Sequence, residues 1–119
     1  MQTLTVSDLQ QFTGTEEYYR HSIARNIMYT DGIKYLAETA GAYWLIDEIA
    51  LAQLFSATVR REEFQVWKLK VTGSRAVLGL EDGNGNKVGR NKHITFTDFP
   101  LPEITIWLEN GVMMLPSER

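Results

Sequence analysis

The 119-residue sequence contains no cysteine, only two histidines and three prolines, and no apolar run longer than Ala40 to Ile46. Without thiols, the chain cannot form disulfides, thiolate metal sites, iron–sulfur clusters or cysteine nucleophiles. Two histidines narrow metal chemistry further, and there is no HExxH pair, GxSxG elbow or Ser/His/Asp order in a recognisable context. The sequence therefore predicts no metal, no cofactor and no assignable catalytic residue, and an enzyme is the less favoured reading. The Ala40 to Ile46 stretch is far below the roughly 20 residues that cross a bilayer, and the first eight residues show no basic region leading into an apolar one. A cytoplasmic protein without a membrane partner is expected.

What the chain does have is 44% hydrophobic and 23% charged residues, the composition of one globular domain spanning 1–119. No linker, low-complexity tract or fixed-period repeat is visible. The net charge of −3 is unevenly spread. Residues 1–59 carry 3 basic and 7 acidic groups (−4), residues 60–92 carry 8 and 4 (+4), and residues 93–119 carry 1 and 4 (−3).

Ser7-Asp8-Leu9-Gln10 fits a capping box and predicts a short helix over about 8–12, ended by Gly14. The segment from Glu16 to Asn26 is compatible with either helix or strand. Three dipeptides read as two-residue hairpin turns, and each implies a register. Asp31-Gly32 would pair Met28 with Tyr35 and Ile27 with Leu36. Gly73-Ser74, of the II′ kind, pairs Val71 with Ala76, Leu69 with Leu78 and Trp67 with Leu80, leaving Lys68 and Lys70 on the wet face. Asn110-Gly111, the I′ signature, pairs Leu108 with Met113 and Ile106 with Leu115 on one face, and Trp107 with Met114 on the other. Lys92 to Thr97 alternates as a further strand, with Ile94 and Phe96 on its apolar side and His93 solvated. Ala42 to Phe55 is apolar nearly all round and predicts one long buried helix, with Thr39 as its cap region. The expected fold is α+β: an antiparallel sheet built from hairpins and packed on that helix, with the short N-terminal helix beside it.

Three constellations carry functional hypotheses. Trp107 and Met114 face away from the core side of the last hairpin and are candidates for contact with another protein or a second copy of the chain. Lys68, Lys70, Arg90 and Lys92 are candidates for phosphate contact with nucleic acid, although Trp67 points away and few aromatic platforms are expected on that face. Arg20, His21, Asp47 and Glu48 are candidates for a polar pocket. The bland reading of that group is an ion pair fastening the long helix to the N-terminal segment, with Arg20, Arg25 or His21 as partner. Asp82-Gly83-Asn84-Gly85-Asn86 superficially matches a calcium loop. Its sixth and twelfth positions are Lys87 and His93, however, so a glycine-rich connection between strands is expected. Glu16-Glu17 and Glu62-Glu63 read as solvated faces.

Five stretches together resemble a known family: Leu9 to Glu16, Tyr29 to Gly32, Gly41 to Ala50, Phe64 to Leu69 and Phe96 to Leu101. The family consists of small, uncharacterised bacterial proteins of about this length, assigned only as a domain of unknown function. The resemblance implies a plasmid- or phage-associated accessory protein and carries no residue roles. The function expected from the sequence is a non-enzymatic interaction protein of bacterial or mobile-element origin, with inhibition of a host defence system as one possible role. A nucleic-acid binder and a small enzyme or ligand-binding domain remain as alternatives.

Overall fold

The computed structural model describes residues 4–119. Its central feature is a seven-stranded sheet in the order β1-β2-β7-β6-β3-β4-β5. The strands are β1 (Tyr18–Arg20), β2 (Met28–Thr30), β3 (Phe64–Thr72), β4 (Arg75–Glu81), β5 (Lys92–Ile94), β6 (Glu103–Glu109) and β7 (Val112–Met114). Helices α1 (Val6–Gln10), α2 (Asp31–Ala40), α3 (Tyr43–Phe55) and α4 (Ala57–Arg60) complete the fold, with a 3-10 turn over Pro116–Glu118. The class is α+β. All strand pairs are antiparallel except β2 with β7, which run parallel, so the sheet is mixed rather than wholly antiparallel.

The Gly73-Ser74 and Asn110-Gly111 turns form as the sequence predicts. Around the first, Val71 pairs with Ala76, Leu69 with Leu78 and Trp67 with Leu80. Around the second, Leu108 pairs with Met113 and Trp107 with Met114, and Asn110 (φ 53°) and Gly111 (φ 77°) both adopt the left-handed backbone that a I′ turn demands. One continuous core takes the same face of every long strand, including Trp67, Leu69, Leu78, Leu80, Ile106, Leu108 and Met113, and packs it on Ile33, Leu36, Leu45 and Ile49 of α2 and α3. A single helical layer therefore covers one side of the sheet.

Asp31-Gly32 does not form a hairpin; it starts α2. Thr30 takes extended backbone and its hydroxyl accepts from the Ile33 amide, which makes it an N-cap. Ile33, Leu36, Ala37 and Ala40 then fall on one helical face and are buried, and Gly41 (φ 64°) closes the helix in the left-handed conformation. Thr39 is thus buried inside α2 and caps nothing, and α3 begins at Tyr43 without a side-chain cap. Three further expectations shift. The capping box forms two residues earlier than read, between Thr5 and Asp8. The open segment 16–26 supplies the strand β1. β5 ends at Ile94, so Phe96 faces solvent at 73% exposure instead of packing inward. Helix α3 is buried along its middle, but Leu54 and Phe55 at its end are 45% and 81% exposed.

The β1–β2 ribbon meets the rest of the sheet through only two residue pairs, Met28 with Val112 and Tyr29 with Met113. Glu118 reinforces this junction. Buried at 8% exposure, its carboxylate accepts from the Thr30 hydroxyl (2.6 Å), the Gly32 amide (3.0 Å) and the Leu115 amide (2.9 Å). It therefore lies at the positive end of α2, where exposed amides and the helix dipole favour an anion. Gly32 makes this possible, since a Cβ there would lie 2.5 Å from Glu118 Oε1 and 2.7 Å from Leu115 Cδ1. Glu118→Ala, which leaves three donors unpaired, and Gly32→Ala, which forces the carboxylate away, should each cost about 2–4 kcal/mol in urea unfolding. Losses below about 0.5 kcal/mol for both would show that the anchor is dispensable.

Candidate functional site

The antiparallel pairing of β3 with β6 decides what the uncovered side of the sheet looks like. Val66 lies opposite Trp107, Lys68 opposite Thr105 and Lys70 opposite Glu103. Side chains alternate along a strand, so Phe64, Val66, Lys68, Lys70, Trp107 and Met114 all stand on the outer face. The rings of Phe64 and Trp107 meet edge-on at 5.3 Å. The outer face therefore does hold an aromatic platform next to Lys68 and Lys70, contrary to the sequence reading, which considered only Trp67. Trp107 and Met114 are half-buried. The Arg119 guanidinium lies 5.2 Å from the Phe64 ring and 5.8 Å from that of Trp107, and it is paired with Glu109 at 3.2 Å.

The four basic candidates are not one surface. Lys68 and Lys70 stand on the outer face, and Lys68 is paired with Glu81 at 3.3 Å. Lys92 lies on the helical side, where its ammonium meets both oxygens of Glu48 on α3 at 2.7 and 2.6 Å. Arg90 lines a small cavity with Glu48 and Lys92 on that side. The cause is local: the side chain of Lys92 falls in register with Leu78, a core position of β4.

The polar-pocket quartet also divides. His21 Nε2 lies 2.8 Å from Asp47 Oδ1, and His21 Nδ1 accepts from the amides of Ile23 (3.1 Å) and Ala24 (2.9 Å). Two amide donors at Nδ1 place the ring proton on Nε2, which donates to Asp47. Both ring nitrogens are thus committed to structure, and the imidazole is 4% exposed. Arg20 is turned to the Arg25 carbonyl and Glu48 to Lys92, so neither joins the pair. The arrangement fastens α3 to the segment after β1. In the Asp82–Asn86 turn, Asp82 Oδ1 accepts the amides of Asn84 and Asn86. These bonds hold the Asp82 carboxyl below the usual carboxylate range, led by the Asn86 amide, and they close a turn. Among the described residues no three His, Asp or Glu side chains group to hold a metal ion, and no helix is long and apolar enough to cross a membrane.

Sequence reasoning missed two features. One is the polar network in the core, where the Gln53 and Gln65 amides bond each other at 2.8 and 2.9 Å and Gln65 Oε1 also accepts from Trp67 Nε1 at 2.9 Å. The other is a cleft of about 550 Å³ between the end of α3, the start of β3, the loop after β1 and the β6–β7 turn. The signal for the cleft was the apolar end of α3, which reads as core and is not.

With this geometry in place, comparison with known families gives one result. The model of a family of unknown function, DUF6876, matches residues 3–119. The chain belongs to DUF6876. Membership spans both the outer face and the cleft and brings no residue roles with it. No match was found among curated proteins or among solved structures.

His21→Ala should cost about 2 kcal/mol, because the Ala24 amide loses its acceptor in the interior. Asp47→Asn should cost less than about 1 kcal/mol, since the Asp47 side chain is 59% exposed. Urea unfolding of the two variants checks the order, and equal losses would refute a structural role for the imidazole. A second prediction concerns the corner where β1 meets α2. Asp31 accepts the Glu16 amide, the Tyr19 hydroxyl and the Glu17 amide, and these bonds, led by that of Glu16, hold its carboxyl below the usual range. The bond to Asp31, with burial next, pushes the Tyr19 phenol well above its ordinary value of 10.0. The Asp31 contribution to stability is present above the unfolded value of 3.8 and is lost as the pH falls below it. The Tyr19 contribution is present below 10.0 and is lost as the pH rises beyond it. Tyr19→Phe should accordingly flatten the fall of the urea midpoint above pH 10 relative to the unaltered protein.

Proposed function

We propose that this domain is a non-enzymatic interaction module that takes a protein partner on the uncovered face of its sheet. The observation that carries this reading is the row of Phe64, Val66, Trp107 and Met114 on a face that none of the helices α1–α4 covers. Rigid aromatic side chains with an adjacent Met are the groups that anchor protein interfaces.

Charge favours a protein over a polyanion. Lys68 is paired with Glu81, Lys70 has Glu103 directly opposite, and Arg119 is paired with Glu109. The ion pairs of Lys68 and Arg119 weaken the attraction to phosphates, whereas single-stranded nucleic acid needs aromatic groups within a positively charged groove. These paired charges suit a partner surface that is itself mixed, where opposite charges fix the register of an apolar contact.

A photo-crosslinking amino acid at position 66 or 114 should trap a discrete protein in cells, and Trp107→Arg should abolish the adduct while leaving the circular dichroism spectrum unchanged. Adducts that survive Trp107→Arg would remove the outer face from consideration. Titration with single-stranded DNA at low salt supplies the contrary outcome. Tryptophan quenching that weakens steeply with salt and disappears in Lys68→Glu/Lys70→Glu would replace the protein reading with a nucleic-acid one.

A further inference from the structure

Seven large apolar side chains are exposed among the described residues; Leu54 is one of them and lines the 550 Å³ cleft, and Ile23 and Phe55 each adjoin a lining residue in sequence. Ile23 (64% exposed), Leu54 (45%) and Phe55 (81%) belong to the two chain segments that meet at the 550 Å³ cleft. Its floor is apolar, formed by the buried Ala24, Ile27 and Leu108. Its volume lies within the range of sites that take a ligand or a few side chains.

The mouth is acidic. Glu62 and Glu63 stand there side by side, and neither forms an ion pair among the described residues. Arg60 is the one cation of the lining. Its guanidinium donates to the Gln53 carbonyl at 2.9 Å and the Leu54 carbonyl at 3.3 Å, where it satisfies the last turn of α3. That positive charge is directed at a helix C-terminus instead of at the two carboxylates.

We propose that this cleft binds a segment of a protein partner that is both basic and apolar. A leucine-sized side chain sits on the Ala24, Ile27 and Leu108 floor against Leu54, and a Lys or Arg reaches Glu62 and Glu63. The long aliphatic stems of Lys and Arg suit a site that is apolar below and anionic at its lip. The inference rests on the reading of the domain as a protein-binding module but uses a different surface, so the two can fail separately.

Fluorescence anisotropy on the full chain tests it, with three labelled hexapeptides of alternating Lys and Leu, Glu and Leu, or Lys and Ser. The Lys–Leu peptide should bind saturably, and the other two about tenfold or more weakly. Glu62→Gln/Glu63→Gln should weaken Lys–Leu binding about tenfold, and Leu54→Ser, at a lining position that is 45% exposed, should weaken it as well. The charge-matched variant Glu16→Gln/Asp98→Asn should leave it unchanged. Absence of saturable binding, equal binding of the Glu–Leu peptide, or indifference to the Glu62 and Glu63 changes would each overturn the proposal. Peptide binding that persists when outer-face crosslinking fails would count against the sheet-face reading and leave this one standing.

Discussion

The Glu118 carboxylate is the contact on which the arrangement of this domain depends. The N-terminal ribbon of β1 and β2 has a single strand neighbour in the main sheet, and it pairs with that neighbour in parallel over two residues. Such a short parallel ladder contributes little by itself. Glu118 adds a hydroxyl and two amides, one of them at the N-terminus of α2, and so joins strand, helix start and C-terminal turn at one point. Among the described residues the side chain has no cationic partner. Its charge is balanced by aligned amide dipoles, and it approaches them so closely that a Cβ at position 32 would have to displace it.

How much of this was legible follows the range of each interaction. The Gly73-Ser74 and Asn110-Gly111 hairpins and the core of α3 were readable because turn chemistry, alternation and helical periodicity act within a few residues. Asp31-Gly32 misled because the same dipeptide suits a hairpin turn and a helix N-terminus; Thr30 ahead of it and the Ile33, Leu36, Ala37, Ala40 spacing behind it favoured the helix. The pairing of β3 with β6 has no local signature, and it alone brings Phe64 and Trp107 next to Lys68. An ion pair of α3 with Arg20, Arg25 or His21 was anticipated from the cost of a carboxylate on an apolar helix, and His21 with Asp47 fills that place although the Asp47 side chain is 59% exposed. The role of Glu118 was not, because nothing near it in sequence announces a helix terminus 86 residues away.

The charge segregation of the sequence also takes a different meaning in three dimensions. The middle third carries the basic excess, yet the fold distributes those cations among acidic partners from other segments. Lys92 goes to Glu48 of α3, Lys70 lies opposite Glu103 of β6, and Arg60 turns to helix carbonyls. Lys68 finds Glu81 within its own hairpin. What reads along the chain as a basic block is split between the two sides of the sheet, with Lys68 and Lys92 in ion pairs on opposite faces.

The parallel pair has a further consequence, for the order of events in synthesis. Everything up to β2 and α2 is made before residue 40, but the strand that β2 joins and the carboxylate that holds α2 lie between residues 112 and 118. An N-terminal half emerging from the ribosome carries its helices with no sheet to rest on, and the hairpins that follow assemble locally around their own turns. Closure waits for contacts that span more than 80 residues. The domain is thus one whose native state cannot close until its most distant partners in sequence have been made, and until then the apolar faces of α2 and α3 have no sheet to cover them.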